Sequence, residues 1–289
     1  MPDRALERAY ADCLASARSH YENFPVASWL LPRALRRPVA VIYAFARQAD
    51  DIADEGDLAA EARLARLAEL DELLDGIAAG VPPTTSADPG LALALADVIG
   101  RQRLPIGLFR DLLSAFRQDV TQKRYANFGE VMDYCRRSAN PVGRLLLHLQ
   151  GCTDTRDLAC SDAICSALQL INFYQDLGQD YAENGRIYLP QDEMQRHGVD
   201  ESHFRERRTD FGMQQLMRSQ YARTFRLLRA GAPLARRLPG RFGFELRLTV
   251  LGGRRILERL DQNRTDVFAR PRLTRNDWAR IVWRALRRH

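Results

Sequence analysis

The chain has 289 residues, of which 46% are hydrophobic and 28% charged, the composition of a globular protein with a sizeable core. No apolar run approaches the ~18 residues that a membrane-spanning helix needs. The five cysteines contain no CxxC pair, which favours reduced thiols in a cytoplasmic protein. Peripheral attachment at the inner membrane face remains open. The net charge is +6, and almost all of the basic residues are arginine, because Lys123 is the only lysine. Phosphate recognition and a GC-rich genome both give this composition.

Apolar residues recur at helical spacing from end to end, and no alternating strand pattern interrupts them. The clearest predicted loop is GVPPTTSADPG over residues 80–90, and a second break begins at Gly185. Neither break has the character of a domain linker, so we predict one all-α domain over residues 1–289. The predicted helices cover residues 4–19, 33–55, 59–79, 90–102, 105–121, 127–150, 157–182, 209–236, 242–264 and 274–287.

The first acidic cluster lies on the predicted helix 33–55, in YAFARQADDIADEGD, and contains Asp50, Asp51 and Asp54. Asp50 and Asp54 are four residues apart and therefore neighbours on one helix face. Tyr43 and Arg47 precede Asp50 on the same face, where they could contact the same phosphate. An acidic pair on a helix is usually just solvated, but the residues before this pair, AVIYAFARQA, are mostly apolar.

The second acidic cluster lies on the predicted helix 157–182, in QLINFYQDLGQDYAENGRIYLP. Asn172, Asp176 and Asp180 keep a spacing of four through an otherwise apolar segment. A purely structural helix has little reason to place two acids and an amide there. Arg186 and Tyr188 follow, and Arg186 could clamp a phosphate oxygen, although a surface salt bridge is an equally simple interpretation.

Like charges at this spacing cost a helix roughly 0.2–0.5 kcal/mol per pair unless cations lie between them. Hard oxygen ligands without cysteine or histidine nearby suit Mg²⁺, which takes one or two carboxylates and completes its shell with water and phosphate. The pattern therefore predicts a site that holds a diphosphate through Mg²⁺. The two clusters fall in different halves of the chain, so we expect one fold to bring them together.

The two patterns, Y-x-x-x-R-x-x-D-D-x-x-D and N-x-x-x-D-x-x-x-D-x-x-x-x-x-R, resemble the squalene and phytoene synthase family over about residues 20 to 270. The resemblance implies an all-α isoprenoid synthase fold around a deep apolar cavity, with the two acidic helices facing each other across its mouth. The implied Mg²⁺ ligands are Asp50, Asp54, Asn172, Asp176 and Asp180. These acids, with Arg47, are the expected catalytic residues. The residues expected at the diphosphate or substrate are Tyr43, Arg47, Asp51, Asn140, Gln175, Arg186 and Tyr188.

Three departures from the family pattern point to one branch. Gln175 stands where condensing members usually carry arginine, residues 20–24 read HYENF where they carry H-S-x-S-F, and Asn140 and Pro141 interrupt the middle motif. The strings HYENFPVAS, ARQADDIADEG, YCRRSANPVG and NFYQDLGQD are similar to the hydroxysqualene synthases of bacterial hopanoid pathways. That branch takes presqualene diphosphate from a sister synthase and quenches its cation with water, which Asn140, Tyr134 or Gln175 could hold.

Three other functions compete with this hypothesis. The first is a condensing synthase that makes presqualene diphosphate, squalene or phytoene from prenyl diphosphates such as farnesyl diphosphate. The second is a non-catalytic assembly factor, but both acidic clusters are complete. The third is a nucleic-acid binder, but the basic residues are dispersed among 37 acids, so we expect no nucleic-acid partner. The substrate would come from the membrane or the sister synthase, and the basic stretches RRILERLDQNR and WRALRRH could touch anionic lipid or simply be solvated.

Overall fold

The computed structural model describes residues 2–19, 31–81 and 88–287. Within these ranges the regular secondary structure is helical, with one isolated β-bridge between Tyr125 and Pro190, so the predicted all-α class is confirmed. The helices are α1 Pro2–Ser19, α2 Arg33–Asp54, α3 Ala60–Ala78, α4 Pro89–Gln102, α5 Ile106–Thr121, α6 Phe128–Ser138, α7 Asn140–Leu149, α8 Thr155–Gln175, α9 Leu177–Asn184, α10 Gln191–Arg196, α11 Glu201–Arg205, α12 Phe211–Gly231, α13 Leu234–Arg237, α14 Gly240–Gln262 and α15 Arg275–Leu286.

The chain forms two compact units, one of Met1–Thr121 with Pro141–Asp154 and one of Gln122–Asn140 with Thr155–His289. The assignment of residues 1–289 to one domain stays a prediction. In the first unit, α2 packs against α1, α3, α4 and α5. Its apolar positions recur every three or four residues, so Val41, Phe45 and Ala49 are all fully buried on one face. Phe45 meets Phe109 of α5 edge to face, with ring centroids 5.3 Å apart.

The second unit is built on the pair α8 and α12, with α14 packed against both. The helices approach closely at Gly231, where a Cβ atom would lie only 2.5 Å from the carbonyl oxygen of Cys160. α15 is joined to α14 by Asp277, whose carboxylate accepts from Arg255 Nε at 2.7 Å and from Arg259 Nη2 at 2.6 Å. Asp277 also closes a capping box with Thr274 at the start of α15.

The sequence-based helices agree with the structure to within two residues at seven of ten positions. The other three, 127–150, 157–182 and 209–236, are each two helices. Pro141 and Pro233 account for two of the breaks, because proline has no N–H and disfavours helical backbone at the preceding residue. The third is a bend at Asp176, where the amide of Asp176 still donates to Asn172 at 2.9 Å. The short helices α10 and α11 were not predicted.

Of the helices that the structure describes, none has both the length and the apolar character needed to cross a bilayer. The five cysteines all lie in described ranges and none forms a disulfide. The HYENF segment and most of the predicted loop at 80–90 lie outside the described residues.

Candidate active site

The acidic cluster of α2 is organised around Arg47. The guanidinium donates hydrogen bonds from Nη1 to Asp50 Oδ2 at 3.3 Å and from Nη2 to Glu55 Oε1 at 2.6 Å. It also forms an ion pair with Asp51, whose Oδ1 lies 2.7 Å from Nε. Spacings of three and four residues place these groups on one helix face. Tyr43, one turn before Arg47, is partly buried beside it. The structure therefore brings Tyr43, Arg47, Asp50 and Asp51 together and adds Glu55.

Arg47 is a permanent cation in this cluster. Burial by itself lowers the pKa of its guanidinium, but the carboxylates of Asp51, Asp50 and Glu55 outweigh burial and raise that pKa above its ordinary value. The side chains of Asp50 and Asp51 remain about 40% exposed, so each is partly in contact with solvent. Asp54 is partly buried at the last position of α2. This end of α2 thus offers carboxylate oxygens on either side of one fixed positive charge.

The second acidic cluster lies at the bend between α8 and α9. Asp176 occupies the bend, and its carboxylate accepts a hydrogen bond from Asn172 Nδ2 at 2.8 Å. Arg270 binds the same carboxylate through two nitrogens, with Nε 2.5 Å from Oδ1 and Nη2 3.1 Å from Oδ2. Its third nitrogen donates to Gln179 at 3.2 Å. Burial raises the pKa of Asp176 above its ordinary value, and the interactions with Arg270 and Asn172 only partly oppose this effect.

Gln175 has a definite task in this cluster. Its side-chain amide is buried and donates to the backbone carbonyl of Pro271 at 2.8 Å. The bond ties the non-helical segment before α15 to the end of α8, and that segment carries Arg270. The residue that stands where the family usually has arginine therefore anchors an arginine from elsewhere in the chain. Sequence reasoning missed Arg270, although the absent arginine was a signal that Asp176 takes its cation from another segment.

The chain turns back after α9 and brings the next predicted residues inward. Gly185 ends α9 with φ +62°, a conformation that favours glycine, and the amide of Arg186 donates to the carbonyl of Asp180 at 3.1 Å. The side chain of Arg186 is buried. Tyr188 stacks face to face on Phe173 of α8, with centroids 3.6 Å apart and rings 7° from parallel. Asp180 and Arg186 therefore share one turn, and Tyr188 belongs to an aromatic group.

That aromatic group joins α6, α8 and the segment after α9. The ring centroid of Tyr134 lies 5.8 Å from that of Phe173 and 6.0 Å from that of Tyr188. The ring centroids of Tyr125 and Tyr188 are 5.6 Å apart. Asn140, at the break between α6 and α7, is buried and accepts a hydrogen bond from Ser166 Oγ at 2.9 Å. Asn140 is thus fixed against α8, the helix that carries Phe173.

The acidic residues suit Mg²⁺ by their chemistry. Across the described ranges, no three side chains of histidine, cysteine, aspartate and glutamate gather closely enough to hold a metal ion by themselves. Mg²⁺ characteristically needs only one or two carboxylates, because water and substrate phosphate supply the other oxygens. Each cluster also holds a guanidinium against its acids, that of Arg47 in the first and that of Arg270 in the second. The donors that fit Mg²⁺ are the oxygens of Asp50, Asp54, Asn172, Asp176 and Asp180.

The all-helical architecture is that of an isoprenoid synthase fold, which similar solved structures share. The family model for squalene/phytoene synthase matches residues 17–279, and the chain belongs to that family, whose members are enzymes acting on prenyl diphosphates.

The chain is similar to both branches of this family. It is 37% identical to a hydroxysqualene synthase of Rhodopseudomonas palustris over 81% of this chain and 77% of the relative. It is also 36% identical to a phytoene synthase of Mycobacterium tuberculosis over 67% of this chain and 61% of the relative. Among solved structures, the squalene synthase HpnC from Alicyclobacillus acidocaldarius superposes with a TM-score of 0.81 at 35% identity, covering 90% of this chain and 96% of that chain.

Proposed function

We propose that the chain is a hydroxysqualene synthase of squalene and hopanoid biosynthesis, which converts presqualene diphosphate and water to hydroxysqualene and diphosphate. The observation that carries the proposal is the arrangement around Gln175. This side chain holds the segment before α15, and a single guanidinium, that of Arg270, serves Asp176. Condensing members of the family usually carry arginine at this position, whereas here Gln175 is engaged with a backbone carbonyl. The similarity to hydroxysqualene synthases supports the same reaction.

The proposed reaction begins when the C–O bond to the diphosphate breaks and the diphosphate leaves with the electron pair. Guanidinium groups stabilise the developing negative charge through charge-assisted hydrogen bonds, and Arg47 and Arg186 are the residues that we propose for this role. Mg²⁺ held by acidic residues of these clusters would supply further electrophilic stabilisation of the leaving group. Asp50, Asp51 and Glu55 keep Arg47 charged and oriented, so that it needs no reorganisation as the bond breaks.

The carbocation left behind needs a water-poor, polarisable environment. Tyr134, Phe173 and Tyr188 form such a surface, and each aromatic face near a cation contributes about 0.5–2 kcal/mol. A water molecule then forms the new C–O bond and gives up one proton to the released diphosphate or to solvent. We propose that Asn140 positions this water, because Ser166 holds its amide oxygen and thereby fixes the orientation of its amide group.

The second candidate is a condensing synthase, which the similarity to a phytoene synthase favours. Such an enzyme would join two prenyl diphosphates, such as farnesyl diphosphate, without any sister enzyme. The two functions make different products from different substrates, so one pair of incubations separates them. In the favoured function, presqualene diphosphate comes from a sister synthase, and the enzyme works in the cytoplasm close to the membrane that dissolves C30 chains.

The test uses purified protein with Mg²⁺ and presqualene diphosphate, without NADPH, in water enriched in ¹⁸O. We expect hydroxysqualene that carries ¹⁸O in its hydroxyl group, detected by mass spectrometry, and no product from farnesyl diphosphate alone. A C30 hydrocarbon or presqualene diphosphate made from farnesyl diphosphate would assign the chain to the condensing branch. The Asp176→Asn variant serves as the inactive control and the exposed Asp192→Asn variant as the active one.

A further inference from the structure

A groove of about 470 Å³ lies within the second unit, between α12, α13, α14 and α15. This volume lies in the range of small-ligand pockets. Leu228, Val250 and Leu251 give it an apolar floor, and none of its lining residues is acidic. Its arginines are Arg229, Arg236, Arg247, Arg254, Arg284 and Arg287. The groove therefore combines an apolar interior with a strongly positive rim, at residues that have no part in the proposed reaction.

The positive charge of this rim is poorly neutralised. Arg254 pairs with Glu258 at 2.9 Å, and that glutamate is also bound by Arg255 at 3.2 Å. Arg287 lies over the ring of Trp283, 3.8 Å from its centroid, which orients the guanidinium without cancelling its charge. Four of the arginines are exposed and take part in no ion pair with the residues that the structure describes, namely Arg229, Arg236, Arg284 and Arg287. A ligand in the groove would meet several guanidinium groups at once.

The last turns of α15 extend the groove with exposed apolar side chains. Val282, Trp283 and Leu286 are 40%, 53% and 66% exposed, while Ile281 and Ala285 of the same helix are buried. Large side chains exposed together beside a pocket mark an interaction surface more often than scattered single ones do. Tryptophan is the residue that favours the boundary between water and lipid, because its ring is apolar and its N–H group is polar.

We propose that this arginine-rimmed groove docks the protein on an anionic phospholipid surface. The arginines would bind lipid phosphates, Trp283 and Leu286 would enter the headgroup region, and the apolar floor would accept part of an acyl chain. Charge complementarity selects this occupant, since a neutral lipid leaves the arginines unused. A nucleic acid would leave the floor of Leu228 and Val250 and the exposed Leu286 without a partner. The proposal deepens the proposed function, because a membrane is where a C30 substrate is available.

Vesicle binding tests the proposal on the full chain. Flotation would compare phosphatidylcholine vesicles with and without phosphatidylglycerol, for the wild type and for the triple variant Arg236→Gln, Arg284→Gln and Arg287→Gln. The matched control, Arg205→Gln, Arg218→Gln and Arg226→Gln, removes the same charge from exposed positions of the same unit outside the groove. We expect wild type and control to bind the anionic vesicles alone, and the groove variant to bind them on the order of 100-fold more weakly.

Two further measurements locate the contact. Phosphatidylglycerol brominated on its acyl chains should quench the tryptophan fluorescence of the wild type, and Trp283→Phe should remove most of that quenching. Equal binding to neutral vesicles, equal losses in both triple variants, or tighter binding of a DNA duplex than of anionic vesicles would each overturn the proposal.

The activity assay keeps this proposal distinct from the proposed function. With detergent-dispersed presqualene diphosphate the groove variant should turn over like the wild type, because its three residues lie outside the reacting groups. With the substrate presented in anionic vesicles, its rate should fall at least tenfold in line with the weaker binding. An equal rate from vesicles would overturn the docking role. Absence of turnover in every arm would reject the proposed function and leave the vesicle binding result to stand by itself.

Discussion

Asp176 carries its charge in a largely buried place, with a side chain only 12% exposed. A carboxyl whose pKa is raised in the folded state contributes its full stability only below its unfolded pKa of 3.8, and it loses that contribution as the pH rises through the higher folded value. At neutral pH the ionised Asp176 therefore disfavours folding. A residue kept at a cost to stability is most simply explained by chemistry, which here is binding of a cation and diphosphate.

Replacing Asp176 should separate activity from stability. In Asp176→Asn we expect turnover of presqualene diphosphate to fall about 100-fold or more, because an oxygen ligand and its charge are lost. The thermal midpoint at neutral pH should stay the same or rise, since the cost of burying the charge disappears and Arg270 remains 39% exposed to water. Turnover assays and thermal melts of this variant beside Asp192→Asn measure both effects. A large loss of stability together with activity would contradict this account.

Arg270 should compete with Mg²⁺ for the Asp176 carboxylate. Its guanidinium now occupies both carboxylate oxygens, so Arg270→Gln should lower the Mg²⁺ concentration needed for half-maximal turnover by about twofold to fivefold, the scale of a partly exposed ion pair. The matched control is Arg264→Gln, whose exposed arginine comes shortly before Arg270 in the chain and pairs with Asp261 instead of Asp176. An unchanged Mg²⁺ dependence in Arg270→Gln would show that the pair does not compete with the metal.

At the scale of helices, the contact of α8 with α12 depends on one missing side chain. Gly231→Ala would place a methyl group 2.5 Å from the carbonyl oxygen of Cys160 and 2.6 Å from Ile164 Cγ1. Since the first of these is backbone, the helices must separate, and we expect a loss of about 1–3 kcal/mol in unfolding free energy. Gly100→Ala meets nothing within 4 Å and should instead stabilise α4 by up to ~1 kcal/mol. Urea unfolding of both variants checks the contrast, and similar effects would refute it.

The junction of α14 and α15 predicts a pH-dependent stability. Burial by itself would raise the pKa of Asp277, but hydrogen bonds from Thr274, Arg255 and Arg259 bring that pKa well below its ordinary value. The stabilisation is therefore present above the unfolded pKa of 3.8 and is lost as the pH falls through the lower folded value.

Replacing Asp277 should reveal this stabilisation. Asp277→Asn should cost on the order of 2 kcal/mol at neutral pH, with the gap to the wild type shrinking below pH ~4. Unfolding at several pH values measures it. Asp192→Asn, which breaks an exposed pair with Arg196, should cost about 0.5 kcal/mol or less. A gap that stays constant down to the lowest pH would show that the charge of Asp277 is not what joins the helices.

At the scale of the whole molecule, Mg²⁺ and diphosphate should stabilise the fold only when both are present. The acids need a cation, and the cation needs diphosphate oxygens to complete its shell. Mg²⁺ with inorganic diphosphate at about 100 times the dissociation constant should add about 2.7 kcal/mol of stability, whereas either one alone should add little. Thermal melts with each component and with both measure this, and Asp176→Asn should lose the joint effect. Equal stabilisation by diphosphate alone would indicate a site built from arginine without metal.

Residue spacing along the chain was enough to predict the local chemistry of this protein. Helical periodicity repeats every 3.6 residues and is visible in any short window, so the all-α class and most helix boundaries could be predicted. The same periodicity placed Arg47 beside Asp50 and Asp51, and Asn172 beside Asp176, because residues four apart on a helix are neighbours in any fold. The substitution of Gln175 for the family's usual arginine was also visible, though its consequence was not.

The remaining partners come from distant segments of the chain, and the packing of the helices selects them. Arg270 lies 94 residues after Asp176, and Gln175 holds that arginine's segment through a backbone carbonyl, which no side-chain pattern records. The aromatic group likewise joins Tyr125 and Tyr134 to Phe173 and Tyr188, from three separate stretches of chain. Such contacts depend on how helices pack, and packing is set by many weak interactions at once rather than by spacing along the chain.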